Sequence, residues 1–524
     1  MRSLFKSTLA SVVILLFAVS CKNDISKQVA DLPRSTPEAE GVSSDGIVAF
    51  LKAAEKGKHE FHSFMFLRHG NVIAEGWWAP YAPELKHTLY STSKSFTSTA
   101  VGFAVTEDLI DVSDKVISFF PEYLPDTVSP FIADMEIRDL LSMSAGLDPD
   151  PTRQITSNND NWIKAFLNLP VVNDPGTKFL YNSMATYMLS AIVQKVTGQP
   201  VIDYLTPRLF DPLGISGIDW ERDPMGINTG GWGLRLKTGD MAKFGQLYLQ
   251  KGKWNDEQIL PEEWVNEATT FKIDQAPGVP EPVKNSSDWM QGYCYQFWRC
   301  RHNAFRADGA YGQYIIVMPG QDAVVAITCE SHDLQDELNI VWDYLLPSIT
   351  NDKLPKNNES YETLKQMLAS LSIPLPAGGT DATQQSELSG KKYNIDLNDR
   401  RMESIAFSFN ENICHVTMSS DGKSWDLGFG KNDWEKGTTT RPGPNLLLGA
   451  RGHLAGIPPV QTAGIYRWRD EKTLELTLRY IESPHTEIIT CQFDGDKISI
   501  DTKYSYMPAV DMPDLTGQAE ELLQ

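Results

Sequence analysis

Hydrophobic positions change period several times along the chain, and each change marks an element. From Phe64 to Trp77, two β-prone runs (Phe64-Met65-Phe66-Leu67 and Val72-Ile73-Ala74) flank a turn at Gly70, which predicts a hairpin. From Ser91 the repeat lengthens. Phe96, Ala100, Phe103 and Ala104 fall at i, i+4, i+7 and i+8, the stripe of a buried helix. The same spacing predicts helices over 184–196 (Met184, Tyr187, Met188, Ala191, Ile192) and 239–250 (Met241, Phe244, Leu247, Tyr248). Strands return over 312–318 and 322–328. A sheet built from both ends of a segment, with helices between, is an α+β arrangement.

The pattern breaks again between about 350 and 386. A short polar helix (Tyr361, Leu364, Met367, Leu368, Leu371) precedes Pro374-Leu375-Pro376-Ala377-Gly378-Gly379, a stiff and then flexible linker. Beyond it, alternation dominates: Ile405-Ala406-Phe407-Ser408-Phe409, Leu474 to Leu478 and Glu487 to Cys491 read as strands, with Asp421-Gly422 and Asp494-Gly495 as hairpin turns. This region predicts a small barrel or sandwich. The expected organisation is a signal segment at 1–21, a tether at 22–40, a large α+β domain at 41–350, a helix and linker at 351–385, and a β domain at 386–510.

Composition narrows the function classes. The 524 residues are 41% hydrophobic and 22% charged, as in a globular enzyme, and too many for one ordinary domain. A formal net charge of −21 with no basic cluster argues against a nucleic-acid partner. Arg2 and Lys6 precede an apolar run from Leu9 to Val19, the length of a signal-peptide core and short for a membrane span. The run ends in Ala18-Val19-Ser20-Cys21, which resembles a bacterial lipobox. That resemblance implies lipidation of Cys21 and an exported protein held at a membrane, in the periplasm or at the cell surface. The other reading is an ordinary cleaved signal with a chance cysteine. The remaining five cysteines lack framework or zinc-ligand spacing, so free thiols are expected, with Cys294 and Cys300 the nearest pair. No metal or organic cofactor is expected.

The chemistry starts at Ser91-Thr92-Ser93-Lys94. If a helix begins near Ser91, Lys94 lies one turn along on the same face. A serine hydroxyl needs a base to become a nucleophile, and lysine can serve once desolvation lowers its pKa. A helix N-terminus also leaves free N–H groups for a developing oxyanion. Ser-x-x-Lys recurs by chance in long chains, so context has to decide. Ser93 and Ser95 read as surface or capping serines, and Ser144 as a turn serine.

The stretch Leu89 to Thr97 resembles the nucleophile segment of the serine β-lactamase and penicillin-binding-protein family. The hairpin with Arg68-His69-Gly70 and Ala74-Glu75-Gly76-Trp77 resembles that family's first two strands. Asp139 to Leu147 resembles its connecting helix and loop, with Met143 and Ala145 departing from the usual His-Thr-Ser-Gly. Pro175-Gly176 through Tyr181-Asn182-Ser183 resembles the segment holding the family's catalytic tyrosine. Carried over, Tyr181 relays protons to the leaving group, and Ser183 stands at a substrate-binding position. The resemblance implies an antiparallel sheet with helices on both faces, plus an all-helical lobe. The appended β domain resembles lipocalin-like barrels.

The family's third element is a Lys-Thr-Gly or His-Thr-Gly strand. A literal Lys237-Thr238-Gly239 is followed by an amphipathic helix, with Thr238 as its expected N-cap, so it is not that strand. The strand context belongs to Ala307-Asp308-Gly309, before Ala310-Tyr311-Gly312-Gln313. Here the usual cation is replaced by Ala307 and the threonine by Asp308. That loss weakens the case for carboxylate-bearing β-lactams; Asp308 could instead accept an amine. Gly309 permits close approach, and the N–H of Ala310 with that of Ser91 would form the oxyanion hole. These variations resemble the 6-aminohexanoate-dimer hydrolase and esterase branch.

The expected function is therefore acyl transfer by Ser91, Lys94 and Tyr181 on a small ester or amide. A D-alanyl-D-alanine carboxypeptidase or β-lactamase acting on a peptide or lactam is the alternative. A non-catalytic surface binding protein is the rival from another class. His87 is expected in a surface loop, Trp77 and Trp78 in core or rim packing, and Trp162 as a candidate pocket wall. Tyr293, Tyr295 and Trp298 have no assignable face.

Overall fold

The computed structural model describes residues 31–379, 384–444 and 459–520. Cys21 and the apolar run before it lie outside the described residues. Among the described residues, no helix is long and apolar enough to cross a membrane.

A six-stranded antiparallel sheet organises the catalytic domain. Its order is Asn71–Trp77, Glu60–Arg68, Ala323–Glu330, Gln313–Met318, Phe305–Gly309, Trp298–Arg299. Strands near the chain's start thus pair with strands near residue 330, as expected of a sheet built from both ends of a segment. Period-two alternation sends Met65 and Leu67 into one apolar layer and Phe64 and Phe66 into the other. Helices Ser93–Thr106, Ser183–Thr197 and Thr238–Leu249 cover the first face; Ser44–Lys56 covers the second.

Helix Ser93–Thr106 is buried on nearly every side rather than along one stripe. Ser93 and Ser95 are therefore interior, not surface serines. Ser95 Oγ donates to the Gln296 carbonyl at 2.7 Å, and Ser98 Oγ to that of Tyr295 at 2.8 Å. Such bonds remove the cost of burying hydroxyls in the central helix. The literal Lys237-Thr238-Gly239 begins helix Thr238–Leu249, with Lys237 rather than Thr238 at the N-cap position.

Several peripheral segments are more integrated than the sequence suggests. Residues from 31 onward dock along the sheet edge: Leu32 is buried and Arg34 pairs with Glu75 at 3.1 Å. The helix Asn358–Ala369 places Leu364 in the second core layer, joined there by Leu371 and Ile373 just beyond it. His87 is buried, with its Nε2 3.1 Å from His62 Nδ1 and its ring near Tyr81, so it is no surface loop residue. All five described cysteines are buried free thiols.

The C-terminal region is a closed barrel of nine strands, and Leu515–Ala519 belongs to it, beyond the expected boundary at 510. The strand Lys423–Gly430 meets Val460–Trp468 at Gly430 and Ile465, closing the circuit. Closure removes exposed strand edges. Inside, Tyr393, Phe407, Trp468 and Phe493 pack together. Asp421 and Gly422, at φ 50° and 68°, form one hairpin turn as expected. The other is shifted by one residue: Asp494 pairs with Lys497, leaving Gly495 and Asp496 as the turn.

Candidate active site

The site begins at a strained turn. Tyr90 has φ 48°, a left-handed conformation that a bulky residue adopts only when its surroundings impose it. A 3-10 turn over Tyr90–Thr92 carries Ser91, and the α-helix starts at Ser93. Ser93 holds this corner, donating to the Tyr90 carbonyl at 2.6 Å and accepting from the Leu234 N–H at 3.1 Å. Thr92 Oγ1 donates to the Gln313 carbonyl at 2.7 Å, tying the turn to the sheet.

Lys94 lies one turn along, as the spacing predicts. Its Nζ donates to Ser91 Oγ at 3.0 Å, to Ser183 Oγ at 3.0 Å and to the Gly231 carbonyl at 2.7 Å. None of the three is a carboxylate. Burial pushes the ammonium down to about 7, against weaker opposition from Asp150 and Asp308. Ser183, expected against the substrate, thus lies within hydrogen-bonding distance of the lysine.

Tyr181 precedes helix Ser183–Thr197, whose N-cap Asn182 accepts from the N–H groups of Met184 and Ala185. Burial drives the phenol well above its usual range, opposed by a hydrogen bond with Ser91. Lys94 Nζ sits 4.8 Å from the centre of the Tyr181 ring. Trp298, whose face the sequence left open, stacks on that ring at 5.5 Å, and Tyr293 meets it edge-on at 6.2 Å.

The strand Phe305–Gly309 closes the site's other side. Ala307 is buried in the apolar layer under the nucleophile helix. Asp308 is not a free carboxylate: Arg306 Nε donates to it at 2.8 Å. Burial pushes the Asp308 carboxyl upward, and the Arg306 guanidinium opposes that shift. At Gly309 a Cβ would come within 2.2 Å of the Leu89 carbonyl and 2.9 Å of Thr92 Oγ1, so only glycine lets this strand meet the nucleophile turn. Ala310 opens the following turn, which Tyr311 (φ 63°) and Gly312 (φ 88°) reverse.

Trp162 stands behind the site: it is fully buried against Tyr187 and Trp232. Ser144 is buried and hydrogen-bonded to Ser142 at 2.8 Å. The Gly231 carbonyl, 137 residues from Lys94 in the chain, joins the site with no local sequence signal to announce it.

A serine paired with a desolvated lysine and a buried tyrosine, beneath the edge of an antiparallel sheet, defines a serine hydrolase of the penicillin-recognising architecture. The Beta-lactamase family model matches residues 54–345, more than half of the chain, and the chain belongs to that family. It is 25% identical over 323 residues to the 6-aminohexanoate-dimer hydrolase of Paenarthrobacter ureafaciens, covering 56% of this chain and 78% of that protein. It is 24% identical over 247 residues to an Escherichia coli K12 protein named "Putative D-alanyl-D-alanine carboxypeptidase", covering 36% of this chain and 57% of that one. Among solved structures, the "Putative 6-aminohexanoate-dimer hydrolase from Bacillus anthracis" superposes with a TM-score of 0.51 at 20% identity. It covers 63% of this chain and 90% of that one, a likeness of fold.

Proposed function

We propose that this serine hydrolase is an esterase or amidase that cleaves a small, uncharged acyl substrate through an acyl-enzyme on Ser91. The observation that carries the reading is the 3.0 Å contact between Ser91 Oγ and a Lys94 amine brought near pKa 7. Near neutral pH a sizeable share of that amine is free base, able to take the hydroxyl proton as Ser91 attacks the carbonyl carbon. Tyr181, held high by burial, keeps its own proton and hands it to the leaving alkoxide or amine as the tetrahedral intermediate collapses. Lys94 then returns a proton to Tyr181. Water attacks the acyl-enzyme by the same route in reverse. The N–H groups of Ser91 and Ala310 receive the oxyanion, at about 3 kcal/mol per donor.

The preference for an uncharged acyl group rests on the strand Phe305–Gly309. Its family cation is replaced by buried Ala307, and its acid is engaged by Arg306, so neither a carboxylate nor an amine finds an unpaired partner there. Intact-mass spectrometry with a fluorophosphonate and a penicillin, on wild type and Ser91→Ala, tests the reading. Labelling of wild type by the fluorophosphonate alone, abolished in Ser91→Ala, is the expected result. A long-lived penicilloyl adduct would move the function to a penicillin-binding peptidase. Undiminished hydrolysis by Ser91→Ala would remove Ser91 from the chemistry.

A further inference from the structure

A loop of the barrel reaches the nucleophile turn. Residues 481–485 join its strands Thr473–Tyr480 and Thr486–Asp494 and lie against the segment that leads to Ser91. The Glu482 carbonyl accepts from the Thr88 N–H at 2.9 Å, and the Ser483 carbonyl accepts from the Tyr81 hydroxyl at 3.1 Å. At the end of the loop His485, fully buried, meets the Tyr90 hydroxyl at 2.5 Å through Nε2.

Its other nitrogen fixes the tautomer. His485 Nδ1 lies 2.7 Å from Glu330 Oε1, on the sheet strand Ala323–Glu330, and Ser505 Oγ donates to the same oxygen at 2.8 Å. A carboxylate only accepts, so Nδ1 carries a proton, and in the neutral tautomer that this selects Nε2 accepts from the Tyr90 hydroxyl. The same imidazole meets the ring of Tyr311 edge-on, at 4.8 Å and 89°. Tyr311 in turn donates to the Tyr506 carbonyl of the barrel at 3.2 Å. Tyr90 is the residue before Ser91, and Tyr311 is the residue after Ala310. Both have positive φ, at 48° and 63°, so each needs support from outside its own turn.

We infer that His485, a residue of the appended barrel, is a positioning residue for the oxyanion hole of the catalytic domain, holding Tyr90 and Tyr311 so that the Ser91 and Ala310 N–H groups converge. This rests on the assignment of Ser91 as nucleophile and of those two N–H groups as the oxyanion donors. Glu330 anchors the imidazole, and the Tyr90 hydroxyl transmits its position to the strained residue beside the nucleophile. Oxyanion donors act through placement, and displacements well under a bond length are costly there. The barrel is then a working part of the active site, not a spacer.

The test uses the full chain with Tyr90→Phe, His485→Ala and His485→Gln. Tyr90→Phe removes one hydroxyl and keeps the ring, so it guards against misfolding of the histidine variants. The readouts are kcat and KM on a p-nitrophenyl ester, the second-order rate of Ser91 labelling by a fluorophosphonate, and the urea midpoint. The expected result is a fall in kcat of about tenfold to a hundredfold in Tyr90→Phe and His485→Ala, with KM within about twofold. Labelling slows in parallel, and His485→Gln, whose amide can both accept and donate, recovers part of the loss. Unchanged kcat and labelling in Tyr90→Phe and His485→Ala, with or without a lower urea midpoint, would overturn the inference. Wild-type protein that fails to label at Ser91 would instead defeat the underlying assignment.

Discussion

At the scale of single residues, the proposed mechanism makes Lys94 the group that sets the pH at which the enzyme works. Its amine must be neutral to accept the Ser91 proton, and burial has moved it down to about 7. The sign follows directly: below that value the ammonium predominates and holds Ser91 protonated, and above it the free base accumulates. kcat/KM should therefore rise with pH through an apparent pKa near 7 and flatten above it, the free-enzyme profile being the relevant one. Tyr181 contributes no limb near neutrality, because burial holds its phenol protonated well past its usual range. A pH–rate profile of kcat/KM on a neutral ester checks this. A flat profile between pH 5 and 9 would mean that Lys94 is not the base.

At the scale of elements, helix Ser183–Thr197 matters through its first turn. Asn182 Oδ1 caps the helix by accepting from the Met184 and Ala185 N–H groups, and it stands between Tyr181 and Ser183. One cap therefore fixes the direction of the phenol and of the hydroxyl that receives Lys94. Asn182→Ala should cost about 1 kcal/mol in urea unfolding, the usual penalty for losing such a cap. It should also lower kcat more than it raises KM, because it loosens catalytic groups rather than the substrate's footing. Loss of stability with intact kcat would separate the cap from the chemistry. The strand Phe305–Gly309 shows a second element-level effect. Period two puts Arg306 and Asp308 on one face of that strand, where they form an ion pair 2.8 Å long.

At the scale of the whole molecule, charge pairing fastens the barrel to the catalytic sheet. Arg479, on a barrel strand, grips Glu60 of the sheet with two bonds, of 2.5 and 2.9 Å, and His62 Nε2 lies 3.2 Å from the same carboxylate. Burial by itself would raise the Glu60 carboxyl; the Arg479 charge and His62 outweigh it and hold Glu60 well below its usual range. A depressed carboxylate stabilises the fold above its unfolded pKa, near 4.5, and that contribution is lost as pH falls through the folded value. Arg479→Ala should cost about 3 kcal/mol at neutral pH, since it strands a largely buried carboxylate. The deficit should shrink as pH falls below about 4.5, because the unfolded chain and the partnerless carboxyl take up a proton there while the paired Glu60 is still ionised. Urea unfolding of both proteins at pH 7 and pH 4 measures it; an equal deficit at both would place the loss in packing instead.

By itself the sequence determined the order of elements and the identity of the chemical segments. The hairpin at Phe64–Trp77, the helices after Ser91, Ser183 and Thr238, and the barrel strands around 405–409, 474–478 and 487–491 follow from local periodicity. The Ser91–Lys94 spacing was legible as one turn of helix, whereas Tyr181 was singled out only by the resemblance of its segment to that of the family. Ala307 and Gly309 could be located from their strand context. Tertiary structure decided the rest. Ser93, Ser95 and His87 look like surface positions in a linear reading, yet they are buried because helices and strands distant in sequence close over them. Asp308 read as a free acid until its own strand turned Arg306 toward it. The contact between Tyr90 and His485 joins residues 395 positions apart. No periodic pattern encodes such a pairing, because it depends on how the closed barrel sits against the sheet, and packing fixes that only once both are folded.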